Sequence, residues 1–130
     1  MENAKCEMLK LKRWAVVGAS ADESRYSYKI FNLLLEHGYE VYGVNPNYEK
    51  IDGKKCYPEV SSLPALPEVL CMVINPRLGK KIVEDAIRLG IKNLWFQPGS
   101  YNEEIEEIMK LVGKNGVKYV KGCVLLELGN

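Results

Sequence analysis

The chain has 130 residues, of which 47% are hydrophobic and 27% charged, a composition typical of one globular domain rather than of a disordered chain. Its 18 basic and 17 acidic residues nearly cancel, so the overall charge gives no indication of nucleic-acid binding. The longest apolar runs, such as Val69–Ile74, are far too short to span a bilayer, and we expect a cytoplasmic protein that binds neither nucleic acid nor membrane.

Five apolar, β-branched segments recur along the chain and predict five strands. These segments are Ala15–Gly18, Glu40–Val44, Val69–Ile74, Asn93–Phe96 and a last strand contained within Lys118–Leu126. Nearly continuous hydrophobicity of this kind is typical of strands that are covered on both faces, which indicates a parallel sheet.

Helical patterns separate these strands. Apolar residues recur at helical spacing from Tyr26 to His37, and Gly38 is well placed to end that helix. A second helix ends at Gly90, and Asn102 is a natural N-cap for a third. The alternation predicts an α/β fold, a Rossmann-like three-layer sandwich with a five-stranded, mainly parallel sheet. We expect residues 1–130 to form a single domain with its core at about 12–128.

The segment from Asn47 to Glu68 is too long for a simple loop. Gly53 is expected to make a turn, and Pro58 to open a short helix through Ser62. Long connections beyond the carboxyl ends of strands often cover a ligand. The alternative is a surface excursion with no role in binding.

The junction after the first strand is the most informative feature of the sequence. There Gly18-Ala19-Ser20 leads from a buried strand towards a helix, a geometry that directs free backbone N–H groups and the positive end of a helix dipole at one point. In open α/β sheets a nucleotide diphosphate commonly sits at this point. Arg25 and Lys29 add positive charge for a ligand with several phosphates, although solvated surface charges are the alternative.

The type of nucleotide is constrained by what the junction lacks. A dinucleotide fingerprint has three glycines and, about 20 residues later, an acidic residue for the ribose. Here Gly18 stands alone, and the second strand ends in the uncharged Asn45 followed by Pro46, which has no N–H. These differences argue against an NAD site. A Walker A motif is absent from the sequence.

Nine short motifs, in this order and spacing, resemble the CoA-binding domain family from about Trp14 to Glu127. They are Val17-Gly18-Ala19-Ser20, Ser27-Tyr28-Lys29-Ile30, His37-Gly38-Tyr39-Glu40-Val41, Val44-Asn45-Pro46, Gly53-Lys54-Lys55-Cys56-Tyr57-Pro58, Ile74-Asn75-Pro76, Trp95-Phe96-Gln97-Pro98-Gly99, Asn102-Glu103-Glu104 and Gly122-Cys123. The resemblance implies CoA or an acyl-CoA bound across the carboxyl ends of the strands. The same module forms the N-terminal part of succinyl-CoA synthetase α subunits and of ADP-forming acyl-CoA synthetases.

The resemblance also implies which residues contact the cofactor. It places Gly18, Ala19 and Ser20 at the diphosphate, Lys29 near the phosphates, Asn45 and Pro46 beside the nucleotide, Asn75 and Pro76 on the opposite side, and Gln97 with Gly99 near the pantetheine path. Many relatives have Val-Pro or Pro-Pro where Asn75-Pro76 stands. Each of these residues has an ordinary alternative in a turn or a strand end.

No catalytic constellation is visible in the sequence. His37 is the only histidine, and it falls at the end of a helix, where an imidazole commonly interacts with the dipole. We therefore expect a small CoA or acyl-CoA binding protein, a carrier, sensor or partner subunit without catalysis of its own. Alternatives are an NAD(H) or other nucleotide-binding regulator, and the CoA-binding subunit of a multi-chain acyl-CoA synthetase. Trp95 and Tyr101 are candidates for a homodimer contact.

The four cysteines are widely separated and predict neither a disulfide framework nor a metal site. Cys71 falls in an apolar strand and is expected to be a small core residue. Cys123 follows Gly122 near the end of the last strand, an edge that faces the ligand crevice in a parallel sheet. Its thiol is a candidate for a mixed disulfide with CoA, and a buried core cysteine is the alternative.

Overall fold

A twisted sheet forms the middle of the molecule, with helices on both of its faces. The computed structural model describes residues 2–129. In chain order its elements are α1 (Glu2–Lys10), β1 (Arg13–Val17), α2 (Tyr26–Glu36), β2 (Glu40–Val44), β3 (Lys50–Ile51), β4 (Lys54–Tyr57), a 3₁₀ helix (Val60–Ser62), β5 (Val69–Met72), α3 (Pro76–Arg88), β6 (Asn93–Phe96), α4 (Glu103–Val112), a second 3₁₀ helix (Gly113–Asn115), β7 (Lys118–Lys121) and α5 (Val124–Leu128).

The sheet has seven strands in the order β3-β4-β2-β1-β5-β6-β7. All neighbours are parallel except β3 and β4, which form an antiparallel hairpin. The α/β Rossmann-like fold is thus confirmed, whereas the prediction of five strands is wrong. The two extra strands lie in the long crossover, the segment from Asn47 to Glu68. They are short, carry lysines and lie on one side of the sheet, so they lack the apolar runs that mark buried strands.

Alternating side chains of each strand enter two separate cores. On β1, Trp14 and Val16 face a core that includes Met8 of α1, Phe31 of α2 and Val124 of α5. Ala15 and Val17 face the other core, together with buried residues of α3 and α4. The sheet is therefore covered on both faces, which explains its nearly continuous hydrophobicity.

The helix ends follow local signals in the sequence. The Asn102 side chain accepts a hydrogen bond from the Ile105 N–H at 3.0 Å, which confirms the predicted cap of α4. Gly38 follows the end of α2 with φ +85°, the left-handed conformation expected of a glycine that ends a helix. Two helices, α1 and α5, were not anticipated, and α5 lies where the sequence suggested the continuation of the last strand.

The connections change direction at the middle of the sheet. From β1 the chain passes through α2 to β2 on one side, and from β5 it passes through α3 to β6 on the other. The carboxyl ends of β1 and β5 therefore flank a topological switch point, where ligands bind in open α/β sheets. No helix within residues 2–129 is long and apolar enough to cross a membrane.

Candidate functional site

The turn after β1 is packed tightly against the end of β5. Gly18 has φ +89°, and a Cβ atom on it would lie 2.3 Å from the backbone oxygen of Val73. The Gly18 N–H donates to the Val44 oxygen at 2.9 Å, and the Val73 N–H donates to the Val17 oxygen at 3.0 Å. Only glycine fits this position, because any side chain would meet backbone rather than a movable group.

Beyond Gly18 the turn offers unused backbone donors. The N–H groups of residues 19–21 have no acceptor among the described residues. Ser20 is buried, and its hydroxyl accepts from the Asp22 N–H at 2.9 Å and pairs with the Tyr48 hydroxyl at 3.2 Å. The serine side chain therefore shapes the turn from inside. Ala19 is fully buried, so the N–H of the exposed Ala21 is the amide of this turn most open to an anion.

Asn45, at the end of β2, holds this turn in place. Its Nδ2 donates to the Ala19 oxygen at 2.9 Å, and its Oδ1 accepts from the Asn47 N–H at 2.9 Å. Its own N–H donates to the Tyr57 oxygen at 2.9 Å. One uncharged side chain thus joins the β1 turn to the long crossover, at the position where a dinucleotide-binding protein has an acidic residue.

A cavity of about 700 Å³ opens at the carboxyl ends of β1, β2 and β5. Its walls are the three strand ends, the segment 58–61 and one side of α3. The lining residues are Val17, Gly18, Arg25, Val44, Asn45, Pro46, Asn47, Pro58, Glu59, Val60, Ser61, Val73, Ile74, Asn75, Leu78, Ile82, Asp85, Arg88 and Leu89. Its size suits a nucleotide-sized ligand, and its apolar wall with a few polar groups is typical of cofactor sites.

Positive charge enters this cavity from Arg25. Its side chain is 71% exposed, and its Nε lies 3.9 Å from Asp22, a distance that leaves the guanidinium free to reorient. Hydrogen bonds from the hydroxyl and backbone N–H of Ser24 lower the pKa of Asp22. Arg88, at the far end of α3, is instead paired with Asp85. Arg25 is therefore the cation most open to a phosphate.

The structure brings five of the eleven predicted site residues together. Gly18, Arg25, Asn45, Pro46 and Asn75 line the cavity. Ala19 and Ser20 are buried in the turn behind it, and Pro76 begins α3 directly after the Asn75 cap.

Three further predicted residues lie outside this cavity. Lys29 is exposed on α2, with its Nζ 5.7 Å from the centre of the Tyr26 ring, and it borders a separate surface hollow. Gln97 is buried beyond β6, and Gly99 forms a turn with φ +88°. Trp95, a candidate for a dimer contact, is fully buried in the core and is not available to a partner.

Gln97 has a clear structural role. Its Oε1 accepts from the Trp95 Nε1 at 3.1 Å and from the Val124 N–H at 2.7 Å, which ties β6 to the start of α5. We expect Gln97→Leu to lower the free energy of unfolding by about 2 kcal/mol, because it leaves the buried Val124 N–H without an acceptor. Urea denaturation measures this loss. Gln97→Glu keeps an acceptor and should lose less; an equal loss in both variants would contradict this role.

The sequence predicts a short helix from Pro58 through Ser62 and leaves open whether this segment covers a ligand, and in the structure the segment closes the cavity from the crossover side. Val60 and Ser61 lie in the 3₁₀ helix, which packs against α3. The β3–β4 hairpin is fastened to α2 by a hydrogen bond of 2.5 Å from the Tyr28 hydroxyl to Asp52. The Asp52-Gly53 pair was the available signal, since Asp-Gly strongly favours a tight hairpin turn.

Within residues 2–129 no group of three His, Cys, Asp or Glu side chains is arranged to hold a metal ion. The site is built from the turn at Gly18, the amide side chains of Asn45 and Asn75, the Arg25 guanidinium and an apolar wall, and Glu59 and the Asp85–Arg88 pair also line it. This arrangement can bind a phosphorylated ligand with an apolar or aromatic part.

Comparisons with known proteins agree with this chemistry. Acetate–CoA ligase (ADP-forming) I of Archaeoglobus fulgidus is 32% identical over 116 residues, covering 78% of this chain and 17% of that protein. The α subunit of acetate–CoA ligase (ADP-forming) II of Pyrococcus furiosus is 27% identical over 119 residues, covering 85% of this chain and 26% of that protein. The chain thus spans about a quarter or less of the length of these relatives.

A solved structure resembles nearly the whole chain. A conserved hypothetical protein from Pyrococcus furiosus is 41% identical with a TM-score of 0.82, and the match covers 89% of this chain and 98% of that one. The family model described as CoA binding domain matches residues 12–129. Because that match includes all seven strands and the turn at Gly18, the chain belongs to the CoA-binding domain family.

Proposed function

We propose that this chain binds CoA or an acyl-CoA in the cavity beside Gly18, without catalysis of its own, as a carrier, sensor or partner subunit. The observation that carries the proposal is the turn of residues 19–21, whose free N–H groups are held in position by the uncharged Asn45. Such a turn favours a diphosphate, and the missing carboxylate on β2 disfavours NAD.

The cavity suggests how the parts of CoA are arranged. The diphosphate contacts the turn, and Arg25 reaches a phosphate from its exposed position. The adenosine lies between Asn45-Pro46 and Asn75, with its base against the apolar wall that Val60 and Ile82 form. The pantetheine then leaves across the ends of β5 and β6, towards Gln97 and Gly99. We infer that the predicted core, residues 12–128, works as one domain in this binding.

A second candidate function is the CoA-binding subunit of a multi-chain acyl-CoA synthetase. It is supported by the alignment with a protein described as a ligase α subunit. Co-purification of the chain with a separate subunit, and acyl-CoA synthesis by that complex alone, would favour it over a stand-alone carrier.

Calorimetric titration with CoA, acetyl-CoA and NAD⁺ tests the proposal. We expect CoA or acetyl-CoA to bind at least about tenfold more tightly than NAD⁺, a difference of about 1.4 kcal/mol. No heat with either CoA species, or tighter binding of NAD⁺, would overturn the assignment. Native mass spectrometry of freshly purified protein reports any retained nucleotide and whether a homodimer forms.

Alanine variants of Arg25 and Lys29 compare the loss of a positive charge that lines the cavity with the loss of one that lies outside it. We expect Arg25→Ala to weaken CoA binding about tenfold and to reduce its dependence on salt, because a phosphate loses a charged donor. Lys29→Ala removes the same charge four residues away, outside the cavity, and should change affinity less than about twofold. Titrations at two salt concentrations measure both, and equal losses would place the phosphates elsewhere.

A further inference from the structure

Three polar residues lie near the carboxyl edge of the sheet, beside α2 and α5. Ser27 lies in the first turn of α2, Gln97 follows β6, and Cys123 immediately precedes α5. Gln97 accepts a hydrogen bond from the Val124 N–H at 2.7 Å, so its amide lies one residue from Cys123. This cluster has no part in the cavity described above.

Gln97 presents an unused donor within this cluster. The groups bonded to its Oε1, the Trp95 indole N–H and the Val124 N–H, can only donate, which fixes the orientation of the amide. Its NH₂ has no acceptor among the described residues, although the residue is only 4% exposed. No fully buried side-chain nitrogen or oxygen in the described part lacks a partner, so this NH₂ reaches solvent at the edge of the sheet.

Ser27 resembles Gln97 in this respect. It is 4% exposed, and its hydroxyl has no hydrogen-bond partner among residues 2–129. Two almost buried polar groups that keep a path to solvent indicate a place where a polar ligand supplies the missing partners. The amide bonds of a pantetheine arm carry both donors and acceptors, and such an arm would end beside Cys123.

Cys123 differs from the other three cysteines in its setting. Cys56 and Cys71 are buried, and burial raises the pKa of both thiols. Cys6 is exposed on α1. Cys123 is partly exposed at the carboxyl edge, next to Gly122, where an added side chain would lie 3.4 Å from the ammonium group of Lys5.

We propose that Cys123 is a thiol-exchange site that captures CoA as a mixed disulfide, with the pantetheine arm held by Gln97 and Ser27. This inference rests on the proposed function, since the arm reaches Cys123 only from CoA bound at the β1 turn. The oxidant is CoA disulfide. The Cys123 thiol loses its proton to water and its sulfur attacks one sulfur of the disulfide. A bond forms between Cys123 and one CoA, the original sulfur–sulfur bond breaks, and the second CoA leaves as a thiolate that takes up a proton.

Intact mass spectrometry after incubation with CoA disulfide, followed by peptide mapping, tests the proposal. We expect one CoA adduct per chain, on Cys123, formed at least about tenfold faster than the adduct from glutathione disulfide, because only CoA also binds the protein. Cys123→Ser should abolish this rapid adduct. Cys6→Ser should leave the rapid adduct on Cys123 intact. Cys6 is thus the control for a thiol that reacts only because it is exposed to solvent.

Two results would overturn the proposal. One is an adduct that forms equally fast from CoA disulfide and glutathione disulfide. The other is an adduct on Cys6 with none on Cys123. Titration of the wild-type chain with reduced CoA is a separate measurement: if reduced CoA binds and no adduct forms on Cys123, the exchange site is wrong and the proposed function stands. If reduced CoA does not bind, the exchange site and the proposed function are both wrong.

Discussion

Gly18→Ala is expected to weaken CoA binding by at least about 100-fold, or about 2.7 kcal/mol. A Cβ atom at this position would lie 2.3 Å from the Val73 oxygen, and φ at Gly18 is +89°. The clash is with backbone at the end of β5, so no rotation of a side chain relieves it. The turn must move, and its free N–H groups move with it. Calorimetric titration with CoA measures the loss.

The same substitution should also destabilise the fold. Strained backbone of this kind costs about 1–3 kcal/mol, and displacement of the two strand ends adds to it. Gly38→Ala is the matched control, because Gly38 has φ +85° but open space around its missing Cβ. Gly38→Ala should lower stability by about 1 kcal/mol and leave CoA affinity unchanged. If both variants lost binding equally, the Gly18 turn would not be the site of the diphosphate.

The elements that the sequence predicts best are those whose signals are local. The strand Glu40–Val44 and the strand Asn93–Phe96 have the predicted boundaries, because polar residues or glycines flank short apolar runs. The cap at Asn102 follows from the side chain itself. The turn at Gly18 is equally legible, because a glycine directly after a buried strand and before a helix predicts a tight turn.

The unpredicted elements depend on contacts between distant parts of the chain. The β3–β4 hairpin exposes Lys50, Lys54 and Lys55, and only Ile51 and Cys56 reach the core. Helix α1 contributes Met8 to the core, and this is too little buried apolar surface to give a helical periodicity in the sequence. Val124 and its neighbours in α5 form a short apolar run, which periodicity cannot assign to a strand or a helix.

In the candidate site, too, the features with local sequence signals are predictable and those that depend on distant contacts are not. Gly18 and the ends of β2 and β5 meet in one cavity, as expected of parallel strands that end at a common edge. The opposite wall, with Val60 and Leu78, exists only because the 3₁₀ helix packs on α3. A resemblance placed Gln97 near the ligand, but its two hydrogen bonds to Trp95 and Val124 emerged only from the structure.

Asn45→Asp is expected to weaken CoA binding by at least about 30-fold, or about 2 kcal/mol, and to narrow the preference for CoA over NAD⁺. The new carboxylate cannot donate to the Ala19 oxygen, so the turn loses the bond that positions it. It also faces a ligand with several negative charges. For NAD⁺ the lost bond is offset, because a carboxylate at the end of the second strand is the group that binds an adenosine ribose.

Asn93→Asp separates this effect from a general cost of charge. The Asn93 Nδ2 donates to the Glu68 oxygen at 3.0 Å, the same type of bond as at Asn45, but at the opposite edge of the sheet. Both substitutions remove one amide donor and add one charge, and only Asn45→Asp should change CoA affinity. Calorimetric titration of both variants with CoA and NAD⁺ gives the comparison. An unchanged ratio of CoA to NAD⁺ affinity in Asn45→Asp would mean that the end of β2 does not select the nucleotide. The selectivity for CoA would then depend on the turn after β1 alone.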